Sequence, residues 1–223
     1  MIGVDGDRLA VVALDARRAQ DVRIAGAKAA HLARAAGAGL PVLPGFVVAA
    51  AAADPEAHHG DSELRRAWGE LSDQGARPLV VRSSSAHEDG AESSLAGLFE
   101  TVLDVHGWDA FTDAVRRVLR SAHRVPVRQV PDHGHDGAAR ADMAVLVQPM
   151  VRAVVGGVMF GADPLTGRYD RVLVSAVPGG PDRLVDGSAD GVRHHLTRHA
   201  RLVRTEPAEP RGSRRLDRGR LRR

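Results

Sequence analysis

Two cations of different kinds stand out among the residues able to do chemistry. Lys28 is the only lysine in a 223-residue chain whose other 30 Lys-or-Arg positions are all arginine. It follows Gly26-Ala27 at the start of an alanine-rich run. A compact ammonium at a glycine-opened helix start suits phosphate oxygens, because free backbone N–H groups and the helix dipole add to its charge. An idle lysine in an arginine-biased composition is the other reading. The spacing is not that of a GxxxxGK[ST] loop. Arg82 ends the apolar run Pro78-Leu79-Val80-Val81 and opens into Ser83-Ser84-Ser85-Ala86-His87-Glu88-Asp89. A strand end of this kind can present a guanidinium fork, hydroxyls and backbone amides to a polyphosphate. A polar surface loop with Arg82 paired to Glu88 or Asp89 accounts for the same residues. A hydrolase using one of these serines with His87 and Asp89 is disfavoured, since triad members are spatial neighbours and no GxSxG elbow occurs.

A third segment, Met143-Ala144-Val145-Leu146-Val147-Gln148-Pro149-Met150-Val151, is an apolar strand carrying one amide. It suits the flat apolar slot that holds an adenine, with backbone groups near Gln148, Pro149 and Met150 reading the ring edge. A core strand with Gln148 at its edge fits the pattern as well. The eleven histidines, His58-His59, His133, His135 and His194-His195 among them, show no HExxH spacing and lie mostly in Gly- or Asp-rich stretches, so surface histidines are favoured over a metal site. Without cysteine there is no disulfide, thiolate metal site or thiol nucleophile.

Periodicity supplies the elements that must position these groups. Residues 8–14 read as a short strand and Ala27 to Ala36 as a helix closed by Gly37 and Gly39. The stiff Leu40-Pro41-Val42-Leu43-Pro44-Gly45 turn delivers Phe46-Val47-Val48 into a strand. A helix is predicted over 62–71. A buried strand at 78–82 is expected to stop at Ser83, with another strand over 99–105 and a helix over 109–122. Three β-rich runs follow at 143–151, 154–160 and 171–177. The mixture predicts an α+β protein whose C-terminal part is an antiparallel sheet.

Charge divides the chain unevenly. Residues 198–223 hold ten arginines against three acidic residues, a formal +7, which leaves about −4 for residues 1–197 out of the total of +3. The segment is nearly free of apolar side chains and carries prolines and glycines, so it is expected to be a disordered basic tail. Polyanion binding by this tail is one reading and a merely solvated terminus the other. Specific nucleic-acid recognition is not expected, since aromatic residues make up only 3% of the chain. With no apolar run of bilayer length and no signal-like N-terminus, no membrane association is expected and the cytoplasm is the expected location.

Taken in order, the three segments resemble the ATP-binding domain of the family of phosphoenolpyruvate synthase, pyruvate phosphate dikinase and rifampicin phosphotransferase. The family's GGKGANLAEL…GLPVPPGFVV stands here as GAKAAHLARAAGAGLPVLPGFVV. Its VRSSATAED…SFAGQFET stands as VRSSSAHEDGAESSLAGLFET, and its MAVVVQRMV…SGVMFTADPxTG as MAVLVQPMVRAVVGGVMFGADPLTG. The resemblance covers roughly residues 24–190. It implies an ATP-grasp-like fold of two lobes, with ATP as ligand and magnesium alongside it. Lys28 and Arg82 would take the nucleotide phosphates and the catalytic role. Gly97 and Thr101 would belong to the phosphate loop, and Gln148, Pro149 and Met150 to the adenine end. The implied activity is ATP-dependent phosphoryl transfer of the dikinase type, in which phosphate passes to a histidine on a separate domain and then to an acceptor. Lysine, arginine and magnesium are the parts such chemistry needs.

The departures carry expectations of their own. Ala27 replaces a motif glycine, His31 an asparagine and Leu98 a polar residue. The GLGExxVxG segment stands as residues 179–187, with Asp182 at the glutamate position and Pro181 removing a backbone donor. Beyond about His195 the family's acidic magnesium-binding stretch, Gln-x-Arg-Pro strand and phosphohistidine domain are not recognisable. The expected organisation is therefore an incomplete nucleotide-binding domain over 1–197, the tail over 198–223, and a fragment, split subunit or frameshifted product that needs either its missing domains or a separate phosphohistidine-domain chain as partner. A non-catalytic nucleotide-binding remnant or regulatory module is the alternative.

Overall fold

The computed structural model describes residues 9–50, 61–86, 100–121, 143–164 and 167–207. The chain forms two compact units, Met1–Met150 and Val151–Arg223.

The first unit is built on a five-stranded antiparallel sheet of β1 (Leu9–Ala13), β2 (Phe46–Ala50), β3 (Leu79–Ser85), β4 (Thr101–Val105) and β5 (Met143–Pro149), in the order β1-β2-β5-β3-β4. Strand alternation sends successive side chains to opposite faces, and both faces are apolar. One set, Phe46 and Val48 of β2, Leu79 and Val81 of β3, Val145 and Val147 of β5, packs against helices α2 (Asp61–Ser72) and α3 (Trp108–Ser121). Helix α3 offers Phe111, Ala114, Val115 and Val118, the i, i+3, i+4, i+7 stripe of a half-buried helix. Trp68 and Trp108 meet edge-on at 5.4 Å, and the Arg65 guanidinium caps the Trp108 ring at 4.9 Å.

The alternate set, Val47 and Ala49 of β2 with Ala144 and Leu146 of β5, faces helix α1 (Val22–Gly37). Ala25, Ala29 and Ala33 recur every fourth residue and line one side of α1. Their small side chains let the helix backbone lie close to the sheet, and that closeness is what the candidate site depends on.

The second unit holds an antiparallel sheet of β6 (Val155–Phe160), β7 (Arg171–Pro178), β8 (Val192–Thr197) and β9 (Leu202–Glu206) in that order, with the single-turn helix α4 (Asp182–Val185). Among the described residues, Leu173 and Val177 are its buried apolar side chains. The mixed helix and antiparallel-sheet architecture is the α+β class read from the sequence, including the antiparallel C-terminal part.

Three expectations need correction. Strand β3 does not stop at Ser83. Ser83, Ser84 and Ser85 continue it, opposite Val145, Ala144 and Met143, because β5 is long enough to pair them. Helix α1 starts at Val22 rather than Ala27, with a break inside it at Gly26. Residues 202–206, counted with the disordered tail, form β9 on the edge of β8, where backbone pairing makes up for the scarcity of apolar side chains. Residues 208–223 lie outside the described residues. Among the described residues, no helix is long and apolar enough to cross a membrane.

Candidate functional site

Helix α1 is opened by Asp21, whose carboxylate accepts the Arg23 backbone N–H at 2.9 Å as an N-cap. The Arg23 side chain also grips this carboxylate, with Nη2 at 2.7 Å from Oδ2. That side-chain hydrogen bond, then the backbone one, holds the Asp21 carboxyl below its ordinary value.

One turn later the helix breaks. Gly26 sits at φ 71° and ψ 168°, outside the helical region, so the chain ends one helical piece at Ala25 and begins another at Ala27. The break leaves backbone groups on either side without helical partners. The Ser84 hydroxyl meets both sides of it: it donates to the Ala25 carbonyl at 2.7 Å and accepts from the Ala29 N–H at 3.1 Å. A β-carbon on residue 26 would lie 1.9 Å from the Ser84 carbonyl oxygen, so only glycine fits this approach.

Lys28 stands in the first turn of the second helical piece, half-buried, with its Nζ 3.5 Å from the Ser83 carbonyl oxygen. Arg82 lies one residue before Ser83. It alternates with Ser84, so both project to the α1 side of the sheet. Opposite Arg82 stand Leu146 on β5 and Thr101 on β4, and Leu146 packs under α1. Arg82, Thr101 and the α1 break are therefore on one face of one unit. Thr101 is exposed. Gly97 lies outside the described residues, as do His87 and the two carboxylates considered as partners for Arg82, Glu88 and Asp89.

Gln148 occupies the same face two residues along β5, opposite Val80. Its amide is committed: Nε2 donates to the Leu43 carbonyl at 3.0 Å, and the side chain is buried. Gly45 completes that contact, since a β-carbon there would sit 2.4 Å from the Val147 oxygen. Gln148 thus anchors the Pro41-to-Gly45 turn to β5. Pro149 is half-buried and has no N–H, while Met150 donates its N–H to Pro78 at 2.9 Å. The backbone donor at the expected adenine end is engaged within the sheet.

From the sequence, the three serines after Arg82 are expected as hydroxyls facing a ligand. All three are buried. Their signal was the matched length of VVRSSS and MAVLVQ, which requires the serines to continue the ladder. In the second unit, Asp182 is exposed at the start of α4. His195 lies between Asp163 Oδ2, 3.7 Å from Nδ1, and Glu206 Oε1, 3.3 Å from Nε2. That Nε2 is buried, and its approach to Glu206 lacks hydrogen-bond alignment. Glu206 also receives Arg204 at 2.9 Å. The two ring nitrogens face different carboxylates, so the cluster does not converge on a shared ion. Among the described residues no group of three or more His, Asp or Glu side chains could hold a metal ion. The donors beside Lys28 and Arg82 are serine hydroxyl, threonine and backbone groups, which do not make a magnesium site by themselves.

Comparison with known proteins finds the same family. The profile of the pyruvate phosphate dikinase AMP/ATP-binding domain matches residues 55–206. A prodigiosin synthesizing transferase, PigC of Serratia marcescens, is 35% identical over 127 residues, covering 57% of this chain and 14% of that protein. A probable phosphoenolpyruvate synthase of Methanothermobacter thermautotrophicus is 30% identical over 212 residues, covering 75% and 31%. The phosphoenolpyruvate synthase of Pyrococcus furiosus is 34% identical over 134 residues, covering 56% and 16%. The chain spans less than a third of the length of each of these relatives.

Proposed function

The chain belongs to the pyruvate phosphate dikinase AMP/ATP-binding domain family, and from that premise we propose that it binds ATP and serves as the nucleotide-binding part of a dikinase-type phosphotransferase. Lys28 and Arg82 take the triphosphate, Thr101 and Gly97 border it, and Gln148 with the Pro149-Met150 backbone shapes the adenine end. The observation that supports this most directly is the Gly26 break, which puts a helix start with an ammonium against the end of the strand carrying Arg82. Such an arrangement offers backbone N–H groups, one point charge and one guanidinium fork on the same face, the combination that polyphosphates favour.

Phosphoryl transfer asks little covalent work of the protein. It asks for positioning and for cations where charge spreads over the equatorial oxygens. Lys28 and Arg82 supply two such charges. The described residues do not fit a magnesium site, so no step is assigned to the metal. The phosphoryl acceptor is the histidine of a phosphohistidine domain, with the cytoplasm as the compartment. Calorimetric titration of the chain with ATP tests the reading: saturable one-to-one binding is expected, and adenosine should bind far more weakly. If ATP and adenosine bind alike, the triphosphate is not being read and the proposal fails.

A further inference from the structure

We infer that Ser84 is a positioning residue for the phosphate site: its buried hydroxyl caps, from a different element, the helical piece that carries Lys28. This deepens the ATP-binding proposal and rests on it. An ordinary N-cap residue lies immediately before its helix and accepts the N–H of the second or third helical residue. At this break that place belongs to Gly26, which has no side chain to offer. Ser84 Oγ takes the role across the sheet, accepting the N–H of Ala29, the third residue of the new piece, at 3.1 Å. Its single proton goes to the carbonyl of Ala25, the last residue of the preceding piece, at 2.7 Å.

One hydroxyl therefore holds both ends of the break, and its hydrogen-bonding direction is determined. Ser84 has no exposed surface, so it does not touch a ligand. Its effect passes through the helix start. With Ala29 and Ala25 tied to Ser84, Lys28 Nζ rests beside the neighbouring Ser83 carbonyl, next in sequence to Arg82. Helix start and strand end then move as one body, and the spacing between ammonium and guanidinium is set before any nucleotide arrives. Preorganised charges of this kind need no reorganisation when a triphosphate binds.

The test compares Ser84→Ala, which loses both hydrogen bonds, with Ser84→Thr, which keeps a hydroxyl in place. Calorimetry with ATP and with adenosine is run on wild type, both variants, Lys28→Ala, and the Ser84→Ala/Lys28→Ala pair. Ser84→Ala is expected to weaken ATP binding about fivefold, the fold-change of one lost helix cap, with adenosine unaffected. Ser84→Thr should recover most of the loss. In the Lys28→Ala background the serine substitution should change ATP affinity by less than about twofold, because non-additivity marks two residues acting through one interaction. Equal losses for ATP and adenosine, or an undiminished loss in the Lys28→Ala background, would make Ser84 a merely structural residue and overturn the inference. Amide hydrogen exchange keeps its failure separate from that of the ATP reading. Ala29 is expected to exchange slowly in wild type and Ser84→Thr and faster in Ser84→Ala. An unchanged Ala29 rate removes the cap itself, whereas a changed rate with no ATP binding by wild type overturns the phosphate-site role and leaves only the cap.

Discussion

Gly26 and Ser84 touch through their backbones: a β-carbon on residue 26 would stand 1.9 Å from the Ser84 carbonyl oxygen and 2.5 Å from its hydroxyl. The obstacle is strand backbone, which cannot swing aside as a side-chain tip can. Gly26 also occupies the left-handed region at φ 71°. Gly26→Ala therefore combines a clash with backbone strain, and an unfolding penalty of about 3 kcal/mol or more is expected. The urea midpoint should fall sharply. A midpoint within error of wild type would mean that α1 does not pass the strand end this closely.

Lys28→Ala and Arg82→Ala are each expected to weaken ATP binding by about 1.5–3 kcal/mol, the range for hydrogen bonds to charged groups. Lys28→Arg should not restore affinity. A planar guanidinium is longer and forked, and the half-buried place at the helix start is shaped around one compact ammonium beside the Ser83 carbonyl. Calorimetry on the three variants checks this, and affinities equal to wild type would reject the two assignments.

Much of this face was legible from pattern. The alternation of Leu79-Val80-Val81-Arg82 and of Val145-Leu146-Val147-Gln148 yields the strands, and motif order joins Lys28, Arg82 and Gln148 into one reading. The role of Ser84 was not legible, because it depends on a helix break meeting a strand end far away in sequence. Gly26 hints at a break, but nothing local says what fills it. Strand β9 was missed for a related reason: Leu202-Val203-Arg204-Thr205-Glu206 is poor in apolar residues, and its place comes from backbone pairing with β8. Local composition cannot report a partner strand.

Gln148→Glu separates anchoring from ligand contact. The substitution keeps the shape but replaces the N–H donor to the Leu43 carbonyl with an acceptor, in a buried place. At neutral pH this sets a carboxylate against a carbonyl and is expected to cost at least about 2 kcal/mol of stability. Thermal unfolding without nucleotide reads it. If the variant is as stable as wild type while ATP binding falls, Gln148 serves the ligand and not the turn.

Asp21 provides a pH-dependent contribution with a definite sign. Its carboxyl is held below the ordinary value by the Arg23 side chain and backbone N–H, so the folded state prefers the charged form. A lowered folded value means that the stabilisation is complete above the unfolded carboxylate value of about 3.9 and is lost as pH falls through the lower, folded value. The Arg23 side chain is highly exposed, so solvent screening reduces what its grip on the carboxylate adds to stability. Asp21→Ala should cost about 1 kcal/mol at neutral pH, with the difference from wild type shrinking in strong acid. A difference that stays constant down to low pH would show that the carboxylate charge is irrelevant to the cap.

Two truncations distinguish strand from tail. Ending the chain after Thr197 removes β9, exposes the edge of β8, and takes Glu206 away from His195, whose Nε2 is buried 3.3 Å from it. It also removes Arg201, which closes the turn by donating its N–H to Thr197 Oγ1 at 3.1 Å. An unpaired strand edge opposes the fold. The midpoint for unfolding of the second unit should drop by roughly 5 °C or more, since one or two kcal/mol is enough for such a shift in a small unit. Ending the chain after Pro207 instead removes seven of the ten arginines beyond residue 197 and leaves β9 intact. The midpoint should then stay within about 1 °C of the full chain. Any salt-sensitive DNA binding that the full chain shows should be lost with this same deletion, because phosphate contacts depend on the number of arginines. Equal melting of the two truncated chains would place β9 outside the folded unit.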